Sequence, residues 1–165
     1  MNTPATVEVR RATVNDAEAL ARLRYEFRSS RAESIESEAE FLPRCAAWMS
    51  HRLAAAESWR AWVIELDGML VGNVWLELIE KLPNPGNERE WHGYITNVYV
   101  RAEHRGSGVG SRLLTAALDE CSRVGVDSIF LWPSDRSRPL YLRHGFKPAD
   151  EVFIRTGAVS SNTPP

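Results

Sequence analysis

The run Arg105-Gly106-Ser107-Gly108-Val109-Gly110-Ser111 points most directly to chemistry. Glycines at alternate positions leave backbone N–H groups uncovered and permit the dihedrals that turn them toward one point. A helix opening here adds its own unpaired amides and the positive end of its dipole. Together these make a nest for an anion such as a pyrophosphate, and Arg105 can add a charge-assisted contact. Two phosphate-loop patterns do not fit. The dinucleotide fingerprint G-x-G-x-x-G needs a glycine where Ser111 or Leu113 stands, and the P-loop needs a lysine after Gly110, where Ser111 stands instead. The pattern that remains is Arg/Gln-x-x-Gly-x-Gly/Ala, met by Arg105, Gly108 and Gly110.

Other reactive clusters are absent from the sequence pattern. The four histidines, His51, His92, His104 and His144, contain no pair at helix-face metal spacing, and Cys45 and Cys121 do not join them. No metal site is therefore expected. Gly106-Ser107-Gly108 has the wrong spacing for a G-x-S-x-G nucleophile elbow.

The elements that must position the loop follow from periodicity. Val7 to Ala12 alternates as a first strand, and Thr13-Val14-Asn15-Asp16 resembles a capping box opening a helix that carries Leu20, Leu23 and Phe27. After a polar stretch with Glu33, Glu36, Glu38 and Glu40, a second helix places Phe41, Cys45, Trp48, Met49 and Leu53 on one face. Trp59–Leu66 and Met69–Ile79 form a hairpin across Asp67-Gly68, residues suited to the positive φ angles of such a turn. A loop from Leu82 to Asn87 leads to a strand centred on Tyr94–Val100 and a short basic link, Arg101 to Arg105. Gly108 to Val124 is a helix with a buried stripe of Val109, Leu113, Leu114, Ala117, Leu118 and Cys121, ended by Gly125. Ser128–Trp132 reads as a strand buried on both faces, Pro139–His144 as a short helix stopped by Gly145, and Val152–Arg155 as a last strand. Strands and helices alternate around a central hairpin, which predicts an α/β fold: a mixed sheet with helices on both faces.

Composition narrows the class. With 165 residues, 44% hydrophobic and 25% charged, a globular domain over residues 1–156 is expected, followed by a polar tail, 157–165, expected to be disordered. A net charge of -2 gives no bulk drive toward nucleic acid or an anionic membrane. The start lacks a signal-peptide core, and no apolar run approaches the ~18 residues of a membrane span. A cytoplasmic enzyme or binding module with reduced, buried cysteines is the expectation.

From Ile95 to Cys121 the chain has an apolar strand, a short basic link, the glycine loop and an amphipathic helix, in that order. A tyrosine followed after three residues by Gly-Phe comes later, as Tyr141-Leu142-Arg143-His144-Gly145-Phe146. With these two motifs the chain resembles the GNAT superfamily of acetyl-CoA-dependent N-acetyltransferases, over roughly Val7 to Arg155. The resemblance implies a mostly antiparallel sheet of six or seven strands with a central parallel pair. It implies that backbone groups of Val98, Tyr99 and Val100 pair with the pantetheine arm where the strand bulges, and that Arg105, Gly106, Ser107, Gly108, Val109, Gly110 and Ser111 bind the pyrophosphate. Ser134 stands where many members have an asparagine touching the cofactor, with Ser137 as a substitute. Arg136, Arg138 and Arg143 are within the same segment.

The implied reaction needs two proton transfers. A lysine-like amine, with a pKa of about 10.4, arrives protonated, and a departing thiolate, of thiol pKa about 8.5, leaves better when protonated. The resemblance assigns Tyr141 as the donor to sulfur. For the base, Glu77 sits where strand alternation can point it to the cleft, with Glu80 or a water held by Asn97 as alternatives; Tyr94 and Thr96 stand where members can carry a strand-borne acid. The expected co-substrate is acetyl-CoA, without a metal, and the expected partner is a small-molecule or peptide amine, with a homodimer as an option. An acidic rim of Glu33, Glu36, Glu38 and Glu40 would draw a cationic amine, although a solvated helix start explains the same residues. Some of the six tryptophans could line an acceptor pocket. The alternative to an enzyme is a catalytically silent acyl-CoA-binding or sensing module.

Overall fold

A computed structural model describes residues 8–31, 36–86, 89–155 and 157. Val7, Glu33, Asn87 and nearly all of the expected tail fall outside them. The chain forms two compact units, residues 1–132 and 133–165.

In the first unit, β1 (Glu8–Arg11) leads through a short 3₁₀ turn into α1 (Ala17–Ser29), and α2 (Glu38–Ala55) follows. Both helices start where capping chemistry allows. The Asp16 carboxylate accepts from Thr13 N at 2.7 Å, and Ser37 exchanges bonds with Glu40. Apolar spacing then sets which faces are covered: Leu20, Leu23 and Phe27 of α1 and Met49 of α2 are buried in one cluster with Ala61, Val63, Trp75 and Tyr99 of the sheet.

The sheet has the order β1-β2-β3-β4-β5, with β2 (Trp59–Leu66), β3 (Met69–Glu80), β4 (Trp91–Val100) and β5 (Ser128–Phe130). All neighbours are antiparallel except β4 and β5. Asp67 and Gly68 both take positive φ in the β2–β3 turn, as the sequence predicts. α3 (Val109–Val124) packs its stripe, Val109, Leu113, Leu114, Ala117 and Cys121, on the sheet face opposite α1 and α2. Gly72 permits that approach: a Cβ there would stand 2.8 Å from the Tyr99 carbonyl oxygen and 3.2 Å from Leu113 Cδ1.

Three expectations need correction. The sheet has five strands among the described residues, not six or seven, and its parallel pair lies at an edge rather than the centre. The 128–132 run is not a strand buried on both faces: β5 is short and its outer residues are exposed, because it pairs with β4 through only three residues. Its aromatics are satisfied sideways, with Phe130 stacked on Tyr94 at 5.3 Å and Trp132 edge-on to Tyr94 at 5.2 Å. Val152–Arg155 is not a strand, since it has no ladder partner among the described residues and Phe153 is 96% exposed.

In the second unit, α4 (Arg138–Arg143) is followed by Gly145 at φ +82°, the stop that the glycine predicts. The Tyr141 ring meets Phe146 edge-on at 5.8 Å, and Phe146 N donates to the Tyr141 carbonyl at 3.1 Å.

Arginine–carboxylate clusters join the elements of the first unit. Arg10 reaches Asp16 in a two-pronged contact (2.9 and 2.8 Å) and Glu65 at 2.9 Å. The Arg10 guanidinium holds the Asp16 carboxyl below its ordinary range, helped by the Thr13 bonds and opposed by burial. A depressed carboxyl contributes stability above its unfolded pKa, and that contribution is lost as pH falls through the folded value. Asp16→Asn should therefore lower stability at pH 7 by about 2 kcal/mol and flatten the loss of stability below about pH 4, as read from urea midpoints across pH.

Candidate active site

The site is built on an irregularity in β4. Asn73 pairs with Tyr99 and Trp75 with Thr96, so two steps along β3 match three along β4. The extra residue is accommodated at Asn97, which has φ +53°, a conformation that asparagine tolerates better than most side chains. Its amide is pinned on two sides. Asn97 Nδ2 donates to Asn73 Oδ1 at 2.7 Å, and Arg24 Nη1 donates to Asn97 Oδ1 at 3.0 Å. Both asparagines are buried.

Beside the bulge, β4 loses its parallel neighbour. Pairing with β5 ends at Tyr94–Phe130, so on that side Ile95 to Val100 have no strand partner among the described residues. This edge, which includes Val98, Tyr99 and Val100, has no strand pairing among the described residues that would compete with an extended ligand, although the Val100 carbonyl already accepts from Arg105. It runs directly into the glycine loop. Gly106 and Gly108 both have φ +81°, and a Cβ at either would meet open space. Residues 105 to 108 are exposed, and the amides of Gly106, Ser107, Gly108, Val109 and Gly110 donate to no acceptor among the described residues. Gly108 caps α3, whose first amides and dipole face the same loop. The sequence prediction of an exposed amide loop at a helix start thus agrees with the structure. Arg105 differs in detail: its Nε donates to the Val100 carbonyl at 2.8 Å, and its guanidinium lies 5.8 Å from the Tyr99 ring centroid. Part of its hydrogen-bonding capacity holds the strand-to-loop corner.

On the face covered by α1 and α2, a cavity of about 470 Å³ opens against the bulge. Trp48, Trp59 and Trp75 form much of its wall, at ring separations of 5.3 to 6.0 Å, and Phe41 and Tyr94 extend it. Thr96 and Asn97 line it together, two successive residues turned to one face by the bulge. Cys45 is also in the wall, and burial pushes its thiol pKa up; burial raises the Cys121 thiol to about 11. A raised pKa keeps the nucleophilic thiolate form scarce in both.

Glu77 is half-buried and pairs in register with Trp59 on one side and Tyr94 on the other, two cavity residues. Alternation along β3 puts it on the face that Trp75 occupies. Glu80 is exposed at the end of the strand. His92 bonds through Nδ1 to Ser128 Oγ at 2.7 Å across the parallel pair, a structural role. In the second unit, the Ser134 and Ser137 hydroxyls bond to each other at 2.9 Å and to the local backbone, which organises the turn before α4. Tyr141 is buried there. Of the acidic stretch, Glu36 is paired with Arg44 and Glu40 is used in the α2 capping box, so these two carboxylates serve helix geometry rather than a free rim.

Two cavity residues escaped the sequence reading, Arg24 and Arg44. Arg24 had a signal: it falls within the stripe Leu20, Leu23, Phe27, where a charged residue is out of place.

This arrangement coincides with what sequence comparison finds. Residues 20–146 match the Acetyltransferase (GNAT) family, and the chain belongs to that family. Similar solved structures include a GCN5-related N-acetyltransferase from Ralstonia eutropha JMP134, 29% identical, covering 92% of this chain and 99% of that one at a TM-score of 0.75. A predicted acetyltransferase from Clostridium acetobutylicum, solved with acetyl-CoA, is 22% identical over 92% of this chain and 96% of its own, at 0.74. Glucosamine-6-phosphate N-acetyltransferase from Arabidopsis thaliana is 19% identical over 92% and 98%, at 0.68. The last two share the fold.

Asn97→Val would place a β-branched residue at positive φ and leave buried Asn73 without its partner. It should cost about 3 kcal/mol of stability, read as a lower urea midpoint, whereas Asn97→Gly, which keeps the backbone geometry, should recover part of that loss.

Proposed function

We propose that the chain transfers an acetyl group from acetyl-CoA to a primary amine. The observation that carries this reading is the continuous run from the free, bulged edge of β4 to the uncovered amides of residues 106 to 110 at the start of α3. That run offers hydrogen bonds to an extended amide-bearing arm and then to a diphosphate. The co-substrate would supply the acetyl thioester.

The chain's residues take these roles. Backbone groups of Val98, Tyr99 and Val100 hold the arm, and an N–H near Val98 or Tyr99 receives the developing oxyanion. Arg105, Gly106, Ser107, Gly108, Val109, Gly110 and Ser111 bind the diphosphate, with Ser134 as a further contact. Glu77, directly or through water, takes the proton that the amine must lose before it attacks. Tyr141 returns a proton to the departing sulfur. The amine enters from the aromatic cavity on the α1–α2 face. A thiol-release assay with acetyl-CoA and a broad amine panel tests the proposal. Acetyl-CoA binding without turnover of any amine would favour the silent binding module instead.

Two variants separate binding from chemistry. Gly108→Glu puts a carboxylate into the anion loop at a φ that only glycine takes easily, and should weaken acetyl-CoA binding about 100-fold or more by calorimetry. Tyr141→Phe should reduce kcat by about 100-fold, the ordinary scale of a lost general acid, while acetyl-CoA affinity changes little.

A further inference from the structure

The cavity beside the bulge has walls and a charge that select among amines. Trp48, Trp59 and Trp75, with Phe41 and Tyr94, line it, a surface suited to a flat or bulky apolar body. Aromatic walls also suit a cation, but the charged residues in this lining are Arg24 and Arg44, which oppose one. The two differ. Arg44 is paired with Glu36. Arg24 is half-buried, and its only side-chain hydrogen bond among the described residues goes to a neutral acceptor, Asn97 Oδ1. No carboxylate lies within ion-pair distance of it among the described residues. A guanidinium has five N–H donors in a planar fork, so Arg24 retains donors for an anion. Burial, together with Arg28 and Arg31 nearby, disfavours its charge. A partly desolvated cation at the wall of an apolar cavity, with no carboxylate partner among the described residues, is suited to receive an anion.

Position narrows the ligand further. Arg24 bonds to the side chain of the bulge residue itself, next to the backbone where the acetyl carbon would be presented. An anion held by Arg24 must then lie within a few atoms of the reacting amine. The remaining body of the acceptor extends toward Trp48, Trp59 and Trp75.

We propose that the acceptor is a free α-amino acid with an aromatic or bulky apolar side chain, its carboxylate bound by Arg24 and its side chain seated against the three tryptophans. This rests on the acetyl-transfer reading above and adds the substrate class. A peptide N-terminus lacks the adjacent carboxylate, and polyamines and amino sugars carry neither that group nor an apolar body.

The test combines calorimetry of acetyl-CoA binding with thiol-release kinetics on matched acceptors: L-tryptophan and L-phenylalanine, their carboxamides, and tryptamine and phenethylamine. The free acids should exceed the carboxamides and decarboxylated amines by about 30-fold or more in kcat/KM, the scale of a lost buried charge partner. Arg24→Gln should collapse that ratio toward one, and Arg24→Lys should retain part of it. The wild-type ratio stands as evidence even if a variant folds poorly. Equal or better turnover of the carboxamides or amines overturns the inference, as does an equal loss for all acceptors in Arg24→Gln. Acetyl-CoA binding with turnover confined to sugar or polyamine acceptors overturns the inference alone. Failure to bind acetyl-CoA overturns the transferase reading and the inference with it.

Discussion

Asn97 is held at positive φ by a buried amide pair with Asn73 and by the guanidinium of Arg24. Three features of β4 meet around that displacement. The β4 backbone shifts its register against β3, so that Thr96 and Asn97 both face the cavity. The same strand continues beyond its parallel partner, leaving the edge from Ile95 to Val100 open. And the corner at Val100, pinned by Arg105, delivers the chain to the glycine loop and α3. A regular ladder in place of the bulge would return Thr96 and Asn97 to opposite faces, because side chains alternate along an unbroken strand.

Charge is distributed unevenly around this strand. Asp16, Glu40 and Glu120 are engaged in caps and arginine clusters that tie elements together, Glu120 alone accepting from Arg123 and pairing with Arg60 and Arg11. The Arg123 bonds, with Arg60 and Arg11 behind them, hold the Glu120 carboxyl low against the effect of burial. Carboxylates spent on structure leave the aromatic cavity with arginines as its charged lining. Such a lining differs from the acidic rim for a cationic amine that Glu33, Glu36, Glu38 and Glu40 offer in sequence, where a solvated helix start explains the same residues.

Much of the candidate site was legible in the sequence because its signals are local. Gly106 and Gly108 need positive φ, Gly108 caps a helix, and Thr13–Asp16 forms a capping box over four residues. Each depends on neighbours in the chain, so spacing alone identifies it. Strand count and strand burial were less legible. Ser128–Trp132 and Val152–Arg155 are apolar enough for covered strands, yet β5 pairs through three residues and the later segment with none described. Apolar runs report a preference for cover, not whether a partner exists to provide it.

The sequence by itself determined the family motifs, the element order over most of the chain and the exposed glycine loop at the start of α3, since dihedral freedom and helix ends are properties of short segments. Only the tertiary structure decided the cavity. Arg24, Phe41, Trp48, Trp59, Trp75 and Asn97 come from two helices and three strands. Their convergence depends on how α1 and α2 cross a twisted, bulged sheet, and no local spacing encodes that distance.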